Sequence, residues 1–152
     1  MRSAARQPIA MVAAFLGARC LAATADIAAL ARDIVDRQIA AGLSVPGVGH
    51  HIHKPVDPRA PALFAIARDN GFDGPYVALM NAVADEASRR LGKSLPVNAT
   101  GAIAAVASEL RLPWEIVRGI GVMARAIGLV AHVLEEIRNP LAREMKAMVE
   151  DM

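Results

Sequence analysis

The sequence is poor in the residues that mark several common classes of protein. It contains a single cysteine, Cys20, among 152 residues, which excludes an internal disulfide and favours a reducing cytoplasm over export. Aromatic residues make up only 3% of the chain, and the arginines are dispersed among carboxylates with a net charge of only +2. A nucleic-acid-binding surface needs clustered basic residues with aromatic residues between them, so nucleic acid is not an expected partner.

Long uninterrupted apolar runs are also missing, although 55% of the residues are hydrophobic. A membrane span needs about 20 consecutive apolar residues, whereas charged residues recur here every turn or two, so we expect no span. One stretch leaves two interpretations open. Arg2 and Arg6 precede the apolar residues 8–16, and the small residues 23–25 resemble a signal-peptide cleavage site. The other interpretation is a first helix over residues 8–20, since a proline opens that segment.

Apolar residues recur at helical spacing along most of the chain, and glycine and proline separate the segments. Asp26 is the expected N-cap of a helix that ends at Gly42. Further helices are predicted over residues 61–70, 75–91, about 101–112, and 114–137. Because no segment alternates in the manner of a strand, the pattern predicts an all-α, multi-helical fold with one core.

The Gly/Pro-rich passage 45–61 sustains no periodicity and is predicted to be a structured loop. It holds three histidines, His50, His51 and His53, which invite a metal interpretation because imidazole is a common zinc ligand. A closed zinc site needs four ligands, and the cysteine lies far upstream, so no metal site is expected.

Two other interpretations of this loop remain. In one, one of the three histidines donates a hydrogen bond or a proton to a substrate oxygen, and Arg59 is a forked partner for a carboxylate. The glycines Gly47 and Gly49 would then let backbone N–H groups approach a ligand closely. In the other interpretation, the histidines are ordinary loop residues.

The order of these residues resembles the signature of the citrate synthase family: Val45-Pro46-Gly47-Val48-Gly49-His50, followed by Asp57-Pro58-Arg59. The sequence from residue 51 to residue 61 is most similar to the citryl-CoA lyase-like branch of the family. The resemblance implies that His50 polarises the keto oxygen of oxaloacetate and that Arg59 holds one of its carboxylates. It also implies that the backbone of Val45, Pro46, Gly47, Val48 and Gly49 lies against the adenine of coenzyme A.

Two further stretches are similar to the family in order and distance, namely 95–101 and 123–132. Within the second, Arg125 matches another carboxylate-binding arginine, although an arginine on an apolar helix also commonly extends to water with its stem buried. Thr100 stands where the synthases carry the aspartate that takes a proton from the acetyl methyl group. The family histidine that stabilises the enolate oxygen, and the large helical domain before it, have no counterpart in this sequence.

The resemblance implies a small-domain-like helical region over residues 1–118, with the acyl-CoA and oxo-acid loop, and a return helix and tail of large-domain type over residues 119–152. We expect a citrate synthase-like acyltransferase or citryl-CoA lyase-like protein with reduced or no independent activity. Coenzyme A would enter as a thioester substrate, and no cofactor is implied. The alternatives are the acyl-CoA-binding half of a split enzyme, or an inactive helical partner of a paralogue. A homo-oligomer or a large-domain partner is expected in each case.

Overall fold

A computed structural model describes residues 26–150 of the chain. This range contains six helices: α1 (Ile27–Ala40), α2 (Arg59–Asp69), α3 (Pro75–Leu91), α4 (Ala99–Glu109), α5 (Trp114–Arg138) and α6 (Ala142–Glu150). Between residues 26 and 150 there is no strand, only an isolated antiparallel bridge between Val48 and Val97. The predicted all-α fold is confirmed. The helix predicted over residues 8–20 and the signal-like stretch lie outside the described residues.

The described part of the chain divides into two compact units, with the boundary between Arg118 and Gly119, inside α5. In the first unit, α3 packs against both α1 and α4, and α2 packs against α4. The largest apolar side chains that are less than 2% exposed in its core are Ile34, Val35, Leu79, Met80, Val83 and Val117. Four buried alanines of α4 complete this core: Ala102, Ala104, Ala105 and Ala107. Their small side chains allow close helix packing, which explains the high alanine content of this segment.

The helix ends follow the caps that the sequence contains. Asp26 Oδ1 accepts a hydrogen bond from the Ala29 N–H at 3.0 Å, as predicted for the start of α1. The predicted helix over residues 75–91 is confirmed as α3, which ends at Gly92 in the left-handed conformation (φ 61°).

Two predicted helix starts were wrong. Helix α2 begins at Arg59 and not at Pro61. Its N-cap residue is Pro58, and the carboxylate of Asp57, one residue earlier, accepts the Arg59 N–H at 3.2 Å. Helix α4 begins at Ala99 and not near Gly101, because Asn98 Oδ1 accepts the Gly101 N–H at 3.0 Å. In both cases a side chain before the apolar pattern satisfies the first helical N–H groups.

The second unit contains the larger part of α5 and the short helix α6, which the sequence interpretation missed. Helix α5 ends at Arg138, close to the predicted end at residue 137. After α5, the two carboxylate oxygens of Glu136 accept the N–H groups of Leu141 and Ala142, at 3.1 Å each. These hydrogen bonds satisfy N–H groups at the start of α6. The helix is too short for apolar residues to recur over several turns, which explains why the sequence did not indicate it.

Large apolar side chains are exposed along the second unit, among them Ile127 at 78% and Ile137 at 72%. By length and composition, α5 is the one described helix that could cross a membrane, with a mean hydropathy of 1.6 over an 18-residue window. The dispersed charges on which the sequence prediction relied are sparse here, because Arg125 is the only charged residue between Arg118 and Glu135. A mid-helix arginine is itself costly in a bilayer, at about 2.5–3.5 kcal/mol.

Candidate functional site

The loop before His50 is bonded directly to the start of α4. The Gly49 N–H donates to the Pro96 carbonyl at 2.7 Å, and the Asn98 N–H donates to the Gly47 carbonyl at 3.0 Å. The Asn98 side-chain amide donates to the Gly49 carbonyl at 2.9 Å. Asn98 therefore caps α4 with its oxygen and holds the loop with its nitrogen. We call this arrangement, residues 47–49 with residues 96–101, the loop–helix joint.

Two glycines allow the loop–helix joint to close. A Cβ placed on Gly101 would collide with the Gly47 carbonyl group. Gly47 itself has φ +82°, and a Cβ there would lie 3.0 Å from the Gly101 Cα. Both positions therefore require glycine, one for space and the other for conformation as well. The glycines of the loop were predicted to let backbone N–H groups approach a ligand. In the structure they allow the loop to approach the start of α4, and the Gly49 N–H donates to the Pro96 carbonyl.

The turn that follows His50 fixes the tautomer of its neutral ring. Its Nδ1 accepts the N–H groups of Ile52 and His53, each at 3.1 Å, so the neutral ring carries its proton on Nε2. The ring stacks on those of His51 and His53, with centroids 4.5 and 4.6 Å away. Partial burial, followed by repulsion from these two rings, lowers the pKa of His50 below its ordinary value. At neutral pH the residue is an uncharged hydrogen-bond donor through Nε2.

Arg59 and Asp57 form a pair whose acidic member is fully buried, at 0% exposure. The Arg59 Nε and Nη2 groups donate to the two carboxylate oxygens at 2.9 and 2.8 Å. The same carboxylate accepts the backbone N–H groups of Arg59 and Ala99, at 3.2 and 3.1 Å. The hydrogen bonds from the Arg59 side chain hold the pKa of Asp57 well below its usual range, against the opposing effect of burial.

The structure places the other candidate residues in different settings. Thr100 is a half-buried residue in the first turn of α4 and belongs to the loop–helix joint. It follows Ala99, whose N–H donates to the Asp57 carboxylate. Val45 is buried in the first unit, while Pro46 and Val48 are half-buried. Arg125 lies in the second unit as an exposed residue of α5. Among residues 26–150 no three His, Cys, Asp or Glu side chains are arranged to hold a metal ion.

Sequence reasoning did not assign roles to Asp57 or Asn98 beyond a turn and a motif position. The signals were present: Asp57 precedes proline at the start of a helix, and Asn98 is three residues before Gly101. Both patterns are typical of side chains that cap backbone N–H groups. The long-range bonds from these side chains to Ala99 and Gly49 depend on the fold and have no local signal.

Comparison with known proteins agrees with these features. Residues 11–145 match the family model "Citrate synthase, C-terminal domain". The fold is similar to that of citryl-CoA lyase from Hydrogenobacter thermophilus, with a TM-score of 0.76 and 34% sequence identity over 87% of this chain. The chain spans 50% of the length of that lyase. No curated protein sequence matches the chain significantly. On the extent of the family match, and on a fold and loop that agree with it, this chain belongs to the citrate synthase family.

Proposed function

We propose that the chain binds an acyl-CoA thioester and a 2-oxo acid, such as acetyl-CoA and oxaloacetate or their citryl-CoA product, as a citrate synthase-like or citryl-CoA lyase-like protein. One observation carries the proposal: the loop 45–50 and the Asp57–Arg59 pair are both bonded to the start of α4. Three separated motif segments thus converge on one helix terminus, and positioning of this kind is what a bimolecular reaction requires.

Each side chain has a role that its chemistry supports. The neutral His50 donates its Nε2–H to the keto oxygen of the oxo acid, and Arg59 donates to one carboxylate. Arg125 is the proposed ligand of a second carboxylate. The backbone of Val45–Gly49 contacts the adenine of coenzyme A, which serves as a substrate and not as a resident cofactor. The single cysteine supports a cytoplasmic location.

Independent catalysis is expected to be weak. Thr100 offers a hydroxyl where the reaction needs a carboxylate base, and loss of a general base typically costs about a hundred- to ten-thousand-fold in rate. Loss of a donor to the enolate oxygen typically costs about 3–4 kcal/mol, and such losses are not additive. A chain that has the ligand-binding side chains but no carboxylate base at position 100 is expected to bind its substrates and to convert them slowly.

Calorimetric titration with acetyl-CoA and oxaloacetate, separately and together, tests the proposal. We expect oxaloacetate binding that is weakened in both His50→Ala and His50→Asn. The asparagine oxygen preserves the acceptor of the turn, so this variant separates loss of the Nε2–H donor from loss of the loop. Absence of binding by the wild-type chain would contradict the proposal.

A steady-state assay of thiol release and of citryl-CoA cleavage tests the expected low activity. Turnover should stay well below about one per second, the low end of ordinary enzymes. Thr100→Asp should raise it little without a large-domain partner. Wild-type turnover near one per second that His50→Ala abolishes would show a self-sufficient enzyme.

A second candidate function is that of a binding half or inactive partner in a larger assembly, and the surface of α5 favours it. Six exposed apolar residues follow at alternating spacings of three and four, which is typical of a helix that packs against another helix: Ile120, Met123, Ile127, Val130, Leu134 and Ile137. Ile127→Asp should then shift the protein to a smaller species in light scattering, or release a co-purifying chain. An unchanged molar mass and no co-purifying chain would argue against this candidate.

A further inference from the structure

The Asp57 carboxylate is a costly way to cap a turn. Burial of a charge costs several kcal/mol unless partners compensate for it, whereas a neutral Asn or Ser caps a helix without that cost. Asp57 is fully buried and accepts four hydrogen bonds, two of them from the Arg59 side chain. The turn by itself would not need a negative charge. The pairing with the Arg59 guanidinium group accounts for it.

Arg89 also donates two hydrogen bonds to the Glu86 carboxylate, at 3.0 and 2.6 Å, but both residues lie on α3, one turn apart. Two surface ion pairs of the described chain lack this construction altogether. In the pairs Arg37–Asp33 and Arg68–Asp73 the carboxylate side chains are 40% and 35% exposed. Each joins residues close in sequence on the surface, where such pairs contribute little. The Arg59 side chain is 54% exposed, yet its partner is anchored inside the protein and bonded to α4 as well.

This construction fixes the direction of an exposed arginine. An arginine has five N–H donors at the end of a long flexible side chain, and a ligand that immobilises this side chain must offset part of its rotamer entropy. Asp57 engages Nε and Nη2, so the remaining edge of the guanidinium group is already oriented before a ligand arrives. Because Oδ2 also accepts the Ala99 N–H, this orientation is tied to the helix terminus that carries Thr100 and the loop–helix joint.

We infer that Asp57 is a positioning residue, which holds the exposed edge of Arg59 toward a ligand carboxylate and fixes it relative to the start of α4. The inference rests on the proposed function, since it assigns the ligand of Arg59 to the oxo acid. It predicts that removal of the Asp57 charge weakens the binding of an anionic ligand, whereas simple electrostatics predicts stronger binding. A carboxylate that is only a counter-ion would weaken the binding of an anion, and its removal would strengthen binding.

The test is titration of oxaloacetate and of acetyl-CoA into the full chain carrying Asp57→Asn. Although the site gains one positive charge, oxaloacetate affinity should fall about tenfold because the guanidinium group loses its orientation. Acetyl-CoA affinity should stay within about twofold, since the bonds that close the loop–helix joint do not involve Asp57. Asp73→Asn, which releases Arg68 on the surface, is the matched control and should change neither affinity.

A second variant keeps the test decisive if Asp57→Asn does not fold. Ala99→Pro removes the N–H that donates to Asp57 Oδ2 and puts a ring carbon in its place, which separates the carboxylate from α4. Ala99 is the first residue of the helix, a position that accepts proline well. We expect a several-fold loss of oxaloacetate affinity from it, and an unchanged affinity would refute the tie to α4.

Three other results would overturn the inference. Equal or tighter oxaloacetate binding by Asp57→Asn would make the carboxylate a counter-ion only. Parallel loss of both ligands with a lowered melting temperature would make it a general structural residue. Failure of the wild-type chain to bind oxaloacetate would remove the proposed function and this inference together, and is distinguished by the wild-type titration alone.

Discussion

The two units of the chain use their side chains differently. In the first unit, polar side chains bond segments that are far apart in sequence: Asn98 to Gly49, and Asp57 to Ala99. In the second unit, polar side chains contact near neighbours, His132 with Glu135 and Lys146 with Glu150, and large apolar residues are exposed. The first unit thus links its distant segments through polar side chains, whereas the second presents an exposed surface with the apolar spacing of a helix that packs against another helix.

The largest difference between the two units is expected when one isoleucine in each is replaced by alanine and the free energy of unfolding is measured. Ile34 is 0% exposed and Ile127 is 78% exposed. Ile34→Ala should lower the free energy of unfolding by about 2–5 kcal/mol, because it leaves a cavity in the core. Ile127→Ala should change it by no more than about 0.5 kcal/mol in the monomer. Urea unfolding at low protein concentration measures both values, and similar losses would show that Ile127 is buried in solution.

Alanine at two glycines should act with opposite signs. Gly101→Ala should destabilise the first unit by about 1–3 kcal/mol, because the new Cβ collides with the Gly47 carbonyl group. Gly128→Ala meets nothing within 4 Å and should stabilise α5 by roughly 0.5–1 kcal/mol through helix propensity. Thermal unfolding followed by circular dichroism compares the two variants. A stable Gly101→Ala protein would mean that the loop–helix joint is looser than its geometry indicates.

Two helix caps of the first unit should differ in strength. Asp26→Ala removes one capping bond and should cost about 1 kcal/mol. Asn98→Ala removes the cap of α4 and also the bond to the Gly49 carbonyl, so about 2–3 kcal/mol is expected. Equal costs in denaturant unfolding would show that the cross-link to the loop contributes nothing.

The helices were largely predictable from the sequence, and the site was only partly so. Local signals such as the Gly92 stop and the Asp26 cap depend on near neighbours, which explains why the bounds of α3 and the start of α1 agreed with prediction. The motif positions of His50 and Arg59 could be recognised, but the bonds of Asp57 and Asn98 to segments more than 40 residues away could not. The apolar spacing of α5 predicted a helix, but it did not reveal that the apolar side chains would be exposed.

Mild acid should loosen the histidine turn while the helices persist. The folded-state pKa of His50 lies below its ordinary value of 6.5, so the neutral ring stabilises the fold above that pH and this contribution is lost as the pH falls through the lowered pKa. Protonation of Nδ1 removes the acceptor of the Ile52 and His53 N–H groups. Amide hydrogen exchange at these two residues should therefore accelerate below about pH 6.5, after correction for intrinsic rates. In His50→Asn, whose acceptor does not titrate, the acceleration should disappear; its persistence would assign the effect to other groups.

The most direct test of the account is acetyl-CoA titration of the wild-type chain, Gly49→Ala and Gly92→Ala. Both glycines have positive φ, +74° and +61°, but a Cβ at Gly49 would lie 3.0 Å from Leu95 Cδ2, whereas one at Gly92 meets nothing within 4 Å. The account predicts wild-type dissociation constants between about 10 μM and 1 mM. It also predicts a similar value for Gly92→Ala and at least about tenfold weaker binding for Gly49→Ala, because the latter disturbs the loop Val45–Gly49 itself. Equal binding by all three proteins would contradict the assignment of this loop as the coenzyme A site.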